Sequence, residues 1–201
     1  MKIISMSQYA ILTPWDGALE APSPLEATMQ RVALFVDGAN MFYAQKDNHW
    51  HIDWRLMFQF FTDNKEKAAA YYFTATPPVG DRDRITKYRR FKTALQSMGY
   101  SVVDKEVRLI KSESSDVPVK IKGNLDIELV FRLLTEANTY DEVVLIGCDS
   151  DYIPIVTHLR AIGKTVTVVG RRGSISNDLI NVVNKFTDLD TIRSRIERKT
   201  A

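Results

Sequence analysis

The feature that most constrains this chain is a repeated exchange between short, continuous apolar runs rich in β-branched residues and longer amphipathic segments. Val32 to Val36, Ala68 to Thr74, Ser101 to Val107, Val143 to Ile146 and Val166 to Val169 read as strands. Trp54 to Phe61, Arg84 to Met98, Leu125 to Ala137, Tyr152 to Ala161 and Leu179 to Phe186 read as helices. In the second of these, Ile85, Tyr88, Phe91, Ala94, Leu95 and Met98 recur at helical spacing, and Gly99 stands where a glycine cap ends a helix. Gly163 closes the helix before the last strand. Leu125, Leu129, Phe131, Leu133 and Leu134 spread so far around their helix that it is expected to be well buried. Strands that are apolar on successive positions need cover on both faces, and their alternation with helices implies βαβ crossovers and a parallel sheet.

Around this frame the sequence sets few further bounds. Residues 1–28 contain Pro14, Gly17, Pro22 and Pro24, show neither strand nor helix period, and read as an irregular extension. The opening MKIISMSQYAIL is too broken by Ser5, Ser7 and Gln8 for a signal peptide, and no run reaches membrane-spanning length. A polar loop or hairpin is expected over Ser112 to Val119. An apolar fraction of 45% in 201 residues suffices for a sizeable core. The net charge of +2 leaves only local charge informative. One cysteine, Cys148, excludes an intramolecular disulfide and a cysteine-based zinc site, which fits a cytoplasmic setting.

Ligands of open parallel sheets bind beyond the carboxyl ends of the strands, where strand order reverses. The first strand runs into Val36-Asp37-Gly38-Ala39-Asn40, and the fourth into Gly147-Cys148-Asp149-Ser150-Asp151. If these strands are neighbours, Asp37, Asp149 and Asp151 converge, and Asp126 at a helix start joins them from the side. Such a cluster needs bound protons or a cation, and hard carboxylate oxygens suit Mg²⁺ or Mn²⁺. Each aspartate alone has an ordinary alternative as a turn residue or helix cap, Asp151 before Tyr152 among them.

Three segments carry a resemblance: FVDGANMFY (Phe35 to Tyr43), KGNLDIELV (Lys122 to Val130) and IGCDSDYIPIVTHLRAIGKTVTVVG (Ile146 to Gly170). Together they resemble the NYN domain, LabA-like branch, of the PIN-like nuclease superfamily. The resemblance implies an α/β fold, a three-layer Rossmann-like sandwich with a mostly parallel central sheet of about five or six strands, over residues 29–190. It also implies Mg²⁺-dependent cleavage of RNA, with Asp37, Asp126 and Asp149 as metal-binding positions and Asp151 as a further acidic residue. Asn40 matches the asparagine that orders the site, Lys122 the lysine of a Lys-Gly-x-x-Asp element facing a phosphate, and Ser150 a substrate contact. Relatives commonly read Ser-Gly-Asp-Ser-Asp-Phe where this chain has Gly147 to Tyr152. Asn184 stands where the family's late pattern, matched here by Ser176, Leu179 and Phe186, has an aspartate, which puts a second metal in question.

Between Asp81 and Lys92, six basic residues, Arg84, Arg89 and Arg90 among them, face two acidic ones. This is the best stretch for a polyanion, although a solvated helix face has the same composition. Tyr71, Tyr72 and Tyr88 are base-stacking candidates that fit a core equally well. His49 and His51 flank Trp50 without a third zinc-like ligand, and Cys148 lacks an activating histidine. Gly163-Lys164-Thr165 lacks the earlier P-loop glycine, since His158 stands there, and no Gly-x-Gly-x-x-Gly follows the first strand. Residues 191–201 read as a charged tail, with Ile192 to Lys199 helical and a surface for a homodimer. The leading expectation is an endoribonuclease acting on single-stranded RNA; the competing one is a non-catalytic RNA- or protein-binding regulator, with a phosphatase weaker than either.

Overall fold

The computed structural model describes residues 29–78, 80–106 and 125–199, with the backbone alone of 108–110 and 120–122. The expected extension over 1–28 and the loop over 112–119 lie outside the described residues.

Six strands form one sheet in which every pairing is parallel, in the order β3-β2-β1-β6-β7-β8. They are β1 (Arg31–Asp37), β2 (Glu66–Thr76), β3 (Ser101–Glu106), β6 (Glu142–Ile146), β7 (Thr165–Gly170) and β8 (Lys185–Asp188). Two short strands, β4 (Arg108–Ile110) and β5 (Lys120–Lys122), make a separate antiparallel ribbon. Val32 to Val36 are 0% exposed, so β1 is covered on both faces, as its unbroken apolar run requires.

Neighbouring residues of β1 point to opposite layers. Val32, Leu34 and Val36 pack with α1 (Gly38–Asn48), α2 (Trp54–Thr62), α3 (Arg82–Ser97) and α7 (Leu189–Ile196). Ala33 and Phe35 pack with α4 (Asp126–Thr135), α5 (Ile153–Ala161) and α6 (Asn177–Val182). The result is the α/β three-layer sandwich that the sequence led one to expect.

Four elements differ from the sequence reading. Helix α1 starts directly at Gly38, because Asp37 caps it and a glycine there fits against β2, where any Cβ would overlap the Phe73 carbonyl and the Tyr72 ring. The expected Leu179 to Phe186 helix stops at Val182, and residues 185–188 become the sixth strand, pairing Phe186 with Val168. The Asn184 side chain makes this turn, its Oδ1 accepting the Val166 amide at 2.9 Å. Helix α4 buries only a stripe: Leu129 and Leu133 are inside, whereas Ile127 and Phe131 are 83% and 65% exposed. The expected C-terminal helix is no exposed tail, since Leu189, Ile192 and Ile196 enter the α2 side of the core.

Candidate functional site

Strand order reverses between β1 and β6, which lie side by side with Val36 opposite Ile146. Just beyond that pairing, at the carboxyl ends of the two strands, a Cβ on Gly147 would sit 3.1 Å from that of Asp37. The absent side chain thus admits the Asp37 carboxyl into the crevice.

Asp37 is 8% exposed and uses its two oxygens differently. Oδ1 accepts the Asn40 amide at 3.0 Å, which caps α1, and Oδ2 accepts the Tyr152 hydroxyl at 3.0 Å. The same hydroxyl lies 3.1 Å from Oδ1 of Asp126, brought in by the first turn of α4. One hydroxyl proton therefore serves two carboxyl groups. Burial raises the Asp37 carboxyl above the ordinary carboxylate range, and the charges of Asp126 and Asp149 add to the rise against the two hydrogen bonds. The hydroxyl of Tyr152, itself fully buried, is pushed up by burial and by both carboxylates.

Asp149 caps the 3₁₀ turn Ser150–Tyr152, accepting the Asp151 amide at 2.9 Å, and so reaches Asp37 through space instead of by contact. Asn40 ties this loop to α1, its Oδ1 accepting the Cys148 amide at 3.2 Å. A small cavity is lined by Asp37 and Asp126 together with Ala39 and Thr74. Among the described residues, no three histidine, cysteine, aspartate or glutamate side chains are gathered tightly enough to hold a metal on their own.

The family model for the NYN domain matches residues 31–190. This chain belongs to the NYN domain family. It is 36% identical over 170 residues to the low amplitude and bright protein LabA of Synechococcus elongatus, covering 84% of this chain and 88% of that protein. It is also similar in fold to a crystal structure of a Vibrio parahaemolyticus protein of unknown function, with a TM-score of 0.69 at 22% identity, over 85% of this chain and 97% of that one. NYN domains are nuclease-like and nucleic-acid related. No helix among the described residues is long and apolar enough to cross a membrane.

Within this NYN domain the sequence-predicted residues do not all meet. Asp37 and Asp126 share a contact, Asp149 adds charge, and Asp151 and Ser150 are exposed at the rim. The expected cluster of four is therefore looser, because the Tyr152 hydroxyl stands between two carboxyls and the 3₁₀ turn holds a third. Lys122 ends β5, and its side chain lies outside the described residues. Arg84, Arg89 and Arg90 are exposed on α3, with Arg84 drawn onto Asp81 at 3.1 Å. Asn184 sits at the start of β7 and β8, on the opposite edge of the sheet, so its identity does not bear on this site. Asp188, at the carboxyl end of β8, is the acidic group on the correct edge, close enough to act on Cys148. Burial pushes the Cys148 thiol up to about 11, and it rests where Gly170 has no Cβ.

Tyr71 lies under the Arg132 guanidinium and bonds Glu136, Tyr88 bonds Asp104 through its hydroxyl, and Tyr72 is buried. His49 caps α1 in the left-handed region and His51 is exposed. The role of Tyr152 had only one local signal, a tyrosine where relatives commonly have phenylalanine.

Proposed function

We propose that this NYN domain is a metal-dependent endoribonuclease that cleaves phosphodiester bonds of single-stranded RNA. The observation supporting it most is the pair Asp37 and Asp126 on one hydroxyl at the strand-order reversal. Two acidic groups sharing one proton donor, with a third charge beside them, form an electron-rich set of hard oxygens. That donor set fits Mg²⁺ or Mn²⁺, for Mg²⁺ is commonly held by one or two carboxylates with waters and substrate oxygens completing its shell. Asp37, Asp126 and Asp149 would hold the ion. Bound there, it would supply Lewis-acid stabilisation of charge on the phosphodiester and acidify a coordinated water.

The chain's own residues do the positioning. Asn40 fixes the 147–149 loop to α1 and thereby sets Asp149 against Asp37. Asp151 at the rim would accept a proton from water, while Ser150, Lys122, Arg89 and Arg90 would face the RNA backbone. The test is cleavage of an unstructured RNA by wild type, with Mg²⁺, Mn²⁺ or chelator, beside Asp149→Asn. Metal-dependent cleavage that falls by two orders of magnitude or so in the variant is the expected result. Equal cleavage by both proteins would count against the assignment.

One observation favours a second reading, a non-catalytic RNA- or protein-binding regulator. The Tyr152 hydroxyl already links Asp37 and Asp126, so the pair has a partner without a cation. Calorimetry separates the two: RNA binding retained with no Mn²⁺ binding at millimolar concentration supports the regulator.

A further inference from the structure

Beside the carboxylates lies a larger hollow of about 680 Å³ between α1 and α3, within the usual size range of ligand clefts. Phe42 and Tyr43 of α1 and Phe91 of α3 stand in its walls, above buried Tyr72 and Trp54. Three features bear on what it accepts.

The first is exposed aromatic surface. Phe42 and Tyr43 are each 62% exposed, their rings 5.5 Å apart and nearly perpendicular, although Met41 and Ala44 on the same helix are buried. The second is continuity. Ala39 and Thr74 line both this hollow and the small cavity that holds Asp37 and Asp126. The third is charge. Arg198 lines the hollow, and exposed Lys87 lies one turn before Phe91 on α3. The acid present, Asp53, is engaged as the cap of α2 by the Arg55 and Leu56 amides. Gln45, the wall's amide side chain, is likewise engaged, by the Met41 carbonyl and the Ile52 amide. Open rings and a positive rim, with Asp53 and Gln45 occupied and the exposed His51 imidazole also in the wall, suit a flat aromatic ligand attached to a polyanion, recognised chiefly by stacking.

We propose that this hollow is a nucleobase subsite, in which an unpaired base of single-stranded RNA stacks on one of the two perpendicular rings, Phe42 or Tyr43, with the other against its edge, while Lys87 and Arg198 meet the adjoining phosphates. Its position next to a scissile bond rests on the nuclease reading; the stacking itself does not. Bases within a duplex are already stacked and paired, so a helix cannot fill it.

The test is fluorescence anisotropy of the full chain in chelator with two labelled oligomers, oligouridylate and an abasic strand of equal length and charge. Wild type is expected to prefer the base-bearing strand by about tenfold. The exposed double variant Phe42→Ala, Tyr43→Ala should lose the preference, and Phe42→Trp should keep it. Equal affinity for the two strands, as a seat for an apolar peptide would give, or a preference that survives the double variant, overturns the proposal. Base-dependent binding without cleavage under any metal condition sustains the subsite and sinks the nuclease reading. Asp149-dependent cleavage with base-indifferent binding does the reverse.

Discussion

Tyr152 lies 115 positions from Asp37 and 26 from Asp126, yet one atom of it meets both. Removing that atom alone is informative, because the ring remains to fill the core. In Tyr152→Phe the two carboxyls lose their common donor while Asp37 keeps the Asn40 amide. Loss of such a buried hydrogen bond is worth about 1–2 kcal/mol. Urea unfolding should show a lower midpoint with an unchanged slope; an unchanged midpoint would mean that the hydroxyl does not hold the pair. Gly38 offers a second single-residue test. In Gly38→Ala the new methyl meets the Phe73 carbonyl, which is backbone of a central strand and cannot move aside. A loss of about 2 kcal/mol or more is expected by thermal denaturation, against the small gain that alanine gives in an open helix. Residue identity made the aspartates legible from the sequence. Contacts across more than a hundred positions have no local signature, so the hydroxyl bridge was not.

At the scale of elements, strands were read from continuous apolar runs, and those runs are short-range properties that survive into the fold. Boundaries were lost where a side chain far away decides them. Asn184 reaches Val166 and turns α6 into β8, whereas the sequence around Val182, Val183 and Phe186 alone fits either state. Two polar pairs fasten the amino-terminal edge of the sheet. Lys65, at the entry to β2, meets Glu142 of β6 at 2.5 Å, and Glu142 is nearly buried, with Thr167 as its other donor. Lys65→Met leaves that carboxylate without a counter-ion and should cost about 2–3 kcal/mol, less than a fully buried pair because Lys65 itself is partly solvated. Restoration by Glu142→Gln in the same chain would identify charge, not packing, as the cause. The second pair is the fork of Arg31 on Asp141, which draws the Asp141 carboxyl down to about 2. A depressed carboxylate contributes stability above its unfolded value near 4 and loses it as pH falls towards 2. Wild type should therefore lose urea midpoint more steeply than Asp141→Asn over that window, and by a modest margin, since both partners are well exposed. Parallel pH profiles for the two proteins would contradict the assignment.

Across the whole molecule, the layer under α1, α2 and α3 is completed by the last helix. Its sequence is dominated by charge, which is why it reads as a tail: Arg193, Arg195 and Glu197 stand out, and the three apolar residues do not. The fold uses both kinds. Leu189, Ile192 and Ile196 face inward, Arg193 lies over the Trp50 ring at 5.5 Å, and Arg195 lies over Phe60 at 4.5 Å. The backbone closes the arrangement: the Asp53 amide donates to the Ile196 carbonyl at 2.8 Å, and the Arg198 amide to that of His51 at 2.8 Å. Ending the chain at Asp190 would remove Ile192 and Ile196 and uncover the α2 face. Full burial of each side chain contributes about 1.5–3 kcal/mol, so the shortened protein should lose about 4 kcal/mol. That is a large part of the stability of an ordinary domain. Urea denaturation of the two chains decides it, with Ile196→Ala as a milder control expected to lose about 3 kcal/mol. A shortened chain that unfolds at the wild-type midpoint would make residues 191–201 dispensable and return them to the exposed tail that their charge suggests.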